Sequence, residues 1–236
     1  MPTSPALASL LHLSPTLSVL GRSADLRSRE PARRDRLSLA IPALDAVLDG
    51  GLPRGAITEI FGRSSSGKTT LAHVLMAAAT RRGECAAWID LPNALDPDCA
   101  EQAGARLERV LWISPLDRLS ALRAADHVLE AGGFRLVILD LAAPSSSSRS
   151  VPASVWLRMA RAAVRRNAAV VVLATSRLVG AFATMSLEAH PRHRVFVGER
   201  GPAPVFEGMT TSLHLRKYKH GSSEAPPVDV FASIRA

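Results

Sequence analysis

The chain has 236 residues, of which 47% are hydrophobic, and a formal charge of +8 with a pI near 10.8. Its length and apolar content allow a substantial buried core and exclude global disorder. The longest apolar runs fall short of the ~18 residues that span a bilayer, and the N-terminus lacks the basic start of a secretory signal, so we expect a cytoplasmic protein without membrane contact. The positive charge favours a polyanion or an acidic protein as partner and does not choose between them.

Residues 1–36 are predicted to form a leader or linker, partly helical or flexible, and residues 37–236 a single core domain. The leader ends in an Arg-rich stretch whose arginines alternate with acidic residues, which is typical of a solvated linker; a nucleic-acid arm is the alternative. Cys85 and Cys99 lack the spacing of a metal site or a disulfide, and we predict that both are small buried residues.

From Leu37 onward, strand and helix patterns alternate along the chain. Apolar strands are predicted at 56–62, 85–90, 109–114, 135–140 and 168–175. Helices are predicted at 69–83, 95–104, 117–133 and 153–166. After Ser176, three strand-like stretches follow one another without helices. The pattern predicts an α/β fold with a mainly parallel sheet flanked by helices and a C-terminal antiparallel β extension.

The stretch "GRSSSGKTT", residues 62–70, has the full Walker A pattern between a predicted strand and a predicted helix. The glycines let successive backbone N–H groups face a phosphate, and Lys68 can reach the β/γ oxygens. We therefore expect ATP and Mg²⁺ as ligands, with Asp140 at the end of the strand 135–140 and the Thr69 hydroxyl as the magnesium ligands. The predicted nucleotide-binding residues are Gly62, Ser66, Gly67, Lys68, Thr69 and Thr70.

Residues 37–235 resemble the core of the RecA ATPases in the lead-in "ALDAVLDGGLPRG", the strand "EIFG", the phosphate loop and "NALDP". Within that superfamily, "RVLWISPL", "AADHVLEAGGFRLVILDLAAP" and "WLRMARA" resemble ImuA, the RecA-like accessory proteins of bacterial mutagenesis. This resemblance implies a role in DNA damage-induced (SOS) translesion synthesis. The implied partners are an ImuB-like polymerase-related protein and an error-prone DNA polymerase. Three further candidates are RecA, DNA that is bound weakly and non-specifically, and other copies of the same chain.

The chain departs from RecA at the residues that resemblance assigns to catalysis and to DNA. Pro92 occupies the position of the glutamate that activates water in RecA, and Ser176 that of its γ-phosphate-sensing glutamine. The counterpart of the first DNA loop, 143–152, is Ser-rich, and the second is reduced to "RLVG", 177–180. We therefore expect at most slow ATP hydrolysis and no strand exchange. The alternatives are an active DNA-dependent ATPase or recombinase of the RecA type and, less favoured without an Arg-rich lid after Asp140, a small-molecule kinase.

Seven basic residues are candidate contacts to ligands or partners. Lys217 and Lys219 match lysines that RecA directs to the nucleotide of a neighbouring subunit, and a solvated strand end is the alternative. Arginines on one face of a predicted helix and in a later basic stretch are candidate DNA or acidic-partner contacts, or simply solvated: Arg158, Arg161, Arg165, Arg192 and Arg194. Phosphate contacts of this kind are sensitive to salt and indifferent to sequence.

Overall fold

A computed structural model of the protein describes residues 35–142, 151–197, 205–221 and 225–233. The predicted leader, 1–36, therefore lies almost entirely outside the described residues, as does most of the predicted loop at 143–152. Ten strands are described: β1 (Arg36–Leu37), β2 (Leu52–Pro53), β3 (Ala56–Phe61), β4 (Cys85–Asp90), β5 (Val110–Ile113), β6 (Phe134–Asp140), β7 (Ala169–Ala174), β8 (Met185–Val197), β9 (Val205–Tyr218) and β10 (Val228–Ser233). The helices are α1 (Pro42–Val47), α2 (Lys68–Arg81), α3 (Pro97–Gln102), α4 (Arg118–Ala131) and α5 (Ala153–Arg166), with single 3₁₀ turns at Leu107–Arg109 and Gly180–Phe182.

Eight of these strands form one sheet in the order β10-β9-β8-β3-β7-β6-β4-β5. The strands from β3 to β7 pair in parallel, as their continuous apolar sequences predict. The C-terminal extension is confirmed, with one refinement: β8 itself runs parallel to β3, and the antiparallel pairing begins between β8 and β9. The far end of β8, residues 191–196, is largely exposed, so no apolar run marks it in the sequence.

Helices cover both faces of the sheet. One apolar core includes Leu75 and Met76 of α2 and Trp88 of β4, together with the lead-in residues before β3. The other includes Leu129 of α4 and Trp156 of α5. Because side chains alternate between the two faces of a strand, each parallel strand contributes to both cores. The result is a three-layer α/β/α arrangement, with α2 on one side of the sheet and α4 and α5 on the other.

The helix ends follow local chemistry that the sequence shows. Asp96 caps α3 by accepting hydrogen bonds from the backbone N–H groups of Asp98 and Cys99, at 3.0 and 3.3 Å, as predicted. Helix α4 is capped by Asp117 and followed by two glycines. The prediction for the cysteines was wrong: both are partly exposed, because Cys85 opens a strand and the Cys99 thiol turns toward the Asp96 carboxylate, 3.2 Å away.

Candidate nucleotide site

The phosphate loop joins the end of β3 to the start of α2, the context that a Walker A sequence requires. Two of its glycines are required by close packing. A Cβ atom on Gly62 would lie 2.3 Å from the Ala189 carbonyl oxygen, and one on Gly67 would lie 2.0 Å from Thr211 Oγ1. Gly67 also has a φ of 87°, in the left-handed region that glycine favours. Strands β8 and β9 therefore hold the loop against the sheet.

Lys68 is buried and folded back onto its own loop. Its Nζ donates hydrogen bonds to the carbonyl oxygens of Gly62 and Arg63, both at 2.7 Å, and to Ser66 Oγ at 3.1 Å. Burial lowers the pKa of Lys68, and the nearby Asp140 carboxylate opposes that shift. A cavity of about 150 Å³ lies along residues 65–70 and is lined by Ser66, Thr69 and Thr70 among others. The structure thus brings together all six residues predicted to bind the nucleotide.

Asp140 lies at the carboxyl end of β6, directly beside Asp90 of β4 in the strand register. Its Oδ1 accepts a hydrogen bond from the Ala142 N–H at 2.9 Å. Burial, and to a lesser degree the neighbouring Asp90, raises the pKa of Asp140 to about 6, while Lys68 acts in the opposite direction. A buried carboxylate whose charge is poorly compensated favours a cation beside it.

Magnesium fits this chemistry, because the Thr69 hydroxyl and the Asp140 carboxylate are oxygen ligands of the kind Mg²⁺ prefers. Within the described residues, no group of three or more His, Cys, Asp or Glu side chains is arranged to hold a metal ion. Magnesium commonly binds through one or two protein oxygens, with phosphates and water as its other ligands.

Asp90 organises the loop that carries Pro92, a role that the sequence did not reveal. Its Oδ1 accepts from the Ala94 N–H at 2.9 Å. Its Oδ2 accepts from the Leu95 N–H at 2.9 Å and from Trp112 Nε1 at 3.2 Å. The fully buried carboxylate therefore has hydrogen bonds on both oxygens. Pro92 is half-buried in the loop so fixed, and it offers neither a proton acceptor nor a hydrogen-bond donor there.

Glu59 was also missed, although a glutamate inside the apolar strand β3 is a visible signal in the sequence. Its side chain is fully buried and faces the connection that follows β7. Oε1 accepts hydrogen bonds from the N–H groups of Leu178 and Val179, the latter at 2.8 Å, and Oε2 accepts from Ser186 Oγ at 3.4 Å. Glu59 thereby fixes the short segment 177–180 to the centre of the sheet.

Lys217 lies near the end of β9, and Lys219 lies in the turn that follows this strand. Lys217 Nζ donates to the Gly180 carbonyl oxygen at 2.8 Å, so it contacts its own chain. Burial lowers the pKa of Lys217, and the adjacent Lys219 lowers it further. Lys219 is exposed. The role of both lysines toward a nucleotide stays a prediction.

The candidate arginines do not form one free basic face. Arg158 makes an ion pair with Asp126 that joins α5 to α4, with Nε 3.0 Å from Oδ2. Arg192 Nε lies 3.8 Å from Asp229 Oδ1 on β10. The three others are exposed: Arg161, Arg165 and Arg194. Because α5 packs on the face of the sheet opposite to α2, its arginines lie away from the phosphate loop.

A larger groove of about 750 Å³ continues from the phosphate loop and shares Gly67, Thr69 and Thr70 with the smaller cavity. Its walls come from the lead-in, α2, α3, β9 and β10. Most of the lining is apolar, including Leu39, Ile41, Val74, Leu213, Val230 and Phe231. The polar side chains in it include His73, Asp96 and Gln102. An apolar groove with few polar groups, open to a phosphate loop, has the character of a small-molecule site.

Across the described parts of the chain, every helix is too short or too polar to cross a membrane.

Comparison with curated proteins finds "Protein RecA" of Rubrobacter xylanophilus 43% identical over 119 residues, which cover 50% of this chain and 34% of that protein. "Protein RecA" of Acidothermus cellulolyticus is 41% identical over 123 residues, or 51% and 36% of the two chains. "Protein RecA" of Nocardia farcinica is 38% identical over 133 residues, or 55% and 38%. The chain thus spans little more than a third of the length of these relatives.

The family described as the RecA N-terminal domain matches residues 24–186, well over half of the chain. This match agrees with the fold, in which a phosphate loop follows a central strand of a mainly parallel sheet. The chain therefore belongs to the RecA N-terminal domain family.

Proposed function

We propose that the protein is a RecA-like nucleotide-binding protein that binds MgATP at the phosphate loop, hydrolyses it very slowly and acts through contacts with other proteins. The loop amides and Lys68 receive the phosphates, and Thr69 with Asp140 holds the magnesium ion, which neutralises phosphate charge. The position of the loop between β3 and α2 supports this assignment, because Lys68 is buried within the loop and Ser66, Thr69 and Thr70 line the adjacent cavity.

The main support for the proposal of slow hydrolysis is the environment of Pro92. A water molecule attacking the γ-phosphate needs an acceptor to orient and deprotonate it, and a general base contributes ~10²–10⁴-fold. The carboxylate that ends β4, Asp90, is fully buried and accepts three hydrogen bonds. Asp96 is engaged in capping α3. Phosphate and magnesium contacts remain, and they alone support only slow turnover.

The segment 177–180 supports the absence of strand exchange. Only ten residues, 175–184, connect β7 to β8. Two of their amides are bound by Glu59, and the Gly180 carbonyl oxygen accepts from Lys217. A short connection anchored at both ends to the sheet has little length to spread around a DNA strand. Weak DNA binding through exposed arginines is compatible with this arrangement and falls with salt.

For the biological role, we infer an ImuA-like accessory protein of DNA damage-induced translesion synthesis, with an ImuB-like protein and an error-prone polymerase as partners. The support is the sequence resemblance in the stretches 109–116, 124–144 and 156–162, together with Pro92 at the position of the catalytic glutamate of RecA. The second candidate is a DNA-dependent ATPase of the RecA type, which the 38–43% identity to curated RecA proteins favours.

The biochemical test compares the wild type with Lys68→Ala and with a control, Arg123→Ala, which removes an exposed cation on α4. Calorimetry should show MgATP binding to the wild type and the control and none to Lys68→Ala. Turnover should be slow and should change little when single-stranded DNA is added. Equal MgATP affinity of Lys68→Ala and wild type would show that the loop is not used. Strong DNA stimulation of hydrolysis, or strand exchange between homologous DNAs, would favour the RecA-type candidate.

The partner test is capture of the tagged full chain from DNA-damaged cells. We expect an ImuB-like protein and a polymerase to be enriched over a control capture from undamaged cells. Enrichment of neither, at matched expression, contradicts the accessory role and leaves nucleotide binding unaffected.

A further inference from the structure

His73 is an unusual residue for its position. It lies on α2, one turn after Thr69 and Thr70, and lines the groove that continues from the phosphate loop. Only 6% of the residue is exposed. Its ring packs on Trp88 with the ring centroids 5.2 Å apart. Among the described residues, its Nε2 is a buried nitrogen without a hydrogen-bond partner.

An unpartnered buried nitrogen destabilises the folded protein relative to a satisfied one. A leucine at this position would pack against the same neighbours without that cost, because the surrounding core is apolar. Buried polar groups that lack protein partners concentrate where a ligand or water completes them. Here the cavity beside the imidazole is the groove itself, which is open to the phosphate loop.

We propose that His73 is a recognition residue for the nucleoside part of the bound nucleotide, forming a hydrogen bond with the base or ribose that lies in the groove. This inference rests on the proposed nucleotide binding and adds a residue that recognises the nucleoside rather than the phosphates. Burial lowers the pKa of His73, with Asp96 and Asp90 opposing, so a neutral imidazole is the form that burial favours. A neutral imidazole has one donor and one acceptor nitrogen and can bond either an acceptor or a hydroxyl of a nucleoside.

The competing explanation is a structural histidine completed by water. Trp88 Nε1 is also buried without a partner among the described residues, so in this explanation ordered water completes both side chains. The two explanations differ in what the side chain contributes. A recognition residue affects binding of the nucleoside and not of the phosphates, whereas a structural residue affects stability.

The test measures calorimetric affinities for MgATP and for magnesium tripolyphosphate, which carries the phosphates alone. The variants are His73→Leu, which removes the hydrogen bond, and His73→Gln, which supplies an amide. The control is His127→Leu, on the exposed side of α4. We expect His73→Leu to weaken MgATP binding about three- to tenfold, the effect of one neutral hydrogen bond, and to leave tripolyphosphate unchanged. His73→Gln should recover part of the loss, and His127→Leu should match wild type.

Thermal unfolding of the unliganded proteins gives the second readout. His73→Leu should unfold at the same temperature as wild type or higher, because it removes an unsatisfied group. The inference is overturned if His73→Leu binds MgATP as tightly as wild type, or if it binds MgATP and tripolyphosphate with equally weakened affinity. A clear loss of thermal stability in His73→Leu overturns it as well. None of these outcomes contradicts nucleotide binding by the wild type. A wild-type protein that binds neither ligand removes the proposed function, and this inference with it.

Discussion

Replacing Asp140 with asparagine should stabilise the unliganded protein at neutral and higher pH. Asparagine keeps the shape of the side chain and the oxygen that accepts from the Ala142 N–H, so the backbone contact survives. What it removes is a negative charge that is 1% exposed and lies beside Asp90. Ionising a carboxyl group in that position is unfavourable because the protein replaces little of the lost hydration.

The size and sign of the effect follow from the pKa of Asp140, which rises from 3.8 to about 6 on folding. At about 1.4 kcal/mol for each pKa unit, the ionised group reduces the free energy of unfolding by about 3 kcal/mol above pH 7. Between about pH 4 and pH 6 the folded state holds more protons than the unfolded state, so the stability of the wild type falls as pH rises. This figure is the net cost of the charge, because the attraction of Lys68 already lowers the pKa of Asp140 from which it is worked.

The assay is urea unfolding of Asp140→Asn and wild type in EDTA, without nucleotide, at pH 4.5 and pH 8. The exposed Asp98→Asn on α3 is the control and should show almost no difference. We expect the free energy of unfolding of Asp140→Asn to exceed that of the wild type by about 2–3 kcal/mol at pH 8 and by much less at pH 4.5. A variant that is equally or less stable at pH 8, or a difference independent of pH, refutes this reasoning. With MgATP present the order should reverse, because only the wild type retains the proposed metal ligand.

Three further substitutions test the packing around the site. Gly67→Ala places a Cβ 2.0 Å from Thr211 Oγ1, so calorimetry should find no MgATP binding and urea unfolding a loss of about 1–3 kcal/mol. Glu59→Ala leaves two backbone N–H groups without their acceptor, which should cost at least about 2 kcal/mol and speed amide hydrogen exchange in the segment 177–180. Thr80→Val removes the hydroxyl that accepts a hydrogen bond from the Arg106 N–H at 3.0 Å, so the free energy of unfolding should fall by about 1–2 kcal/mol. An unchanged urea midpoint would contradict this expectation.

The parts of the fold that depend on local pattern were predictable. The strand 85–90 and the helix 153–166 have the bounds expected from the sequence, because apolar runs and helical periodicity identify such elements directly. The phosphate loop was predictable too, since its glycines and lysine act through backbone conformation and reach. Asp96 was recognised as a cap because Asp followed by Pro is a local signal for a helix start.

What depends on distant neighbours was not predictable. The helical spacing of Arg158 indicated a shared basic face, yet its partner Asp126 lies on another helix. The hydrogen bonds that Asp90 accepts include one from Trp112 on β5, which no local pattern indicates. The groove draws its walls from five separate elements, so its volume and the burial of His73 emerge only when the chain is folded.

The position of β3 in the sheet has a consequence for how the chain folds. Both of its neighbours come late: Ala56 pairs with Ala169, and Thr58 with Met185, more than a hundred residues further along the chain. Contacts this distant in sequence form slowly, since a long loop must close before they contribute. During synthesis the apolar strand β3, which leads into the phosphate loop, therefore stays unpaired until β7 and β8 have emerged from the ribosome. Competence to hold a nucleotide is then a late event in biogenesis, and a chain interrupted before β8 leaves this strand open to aggregation.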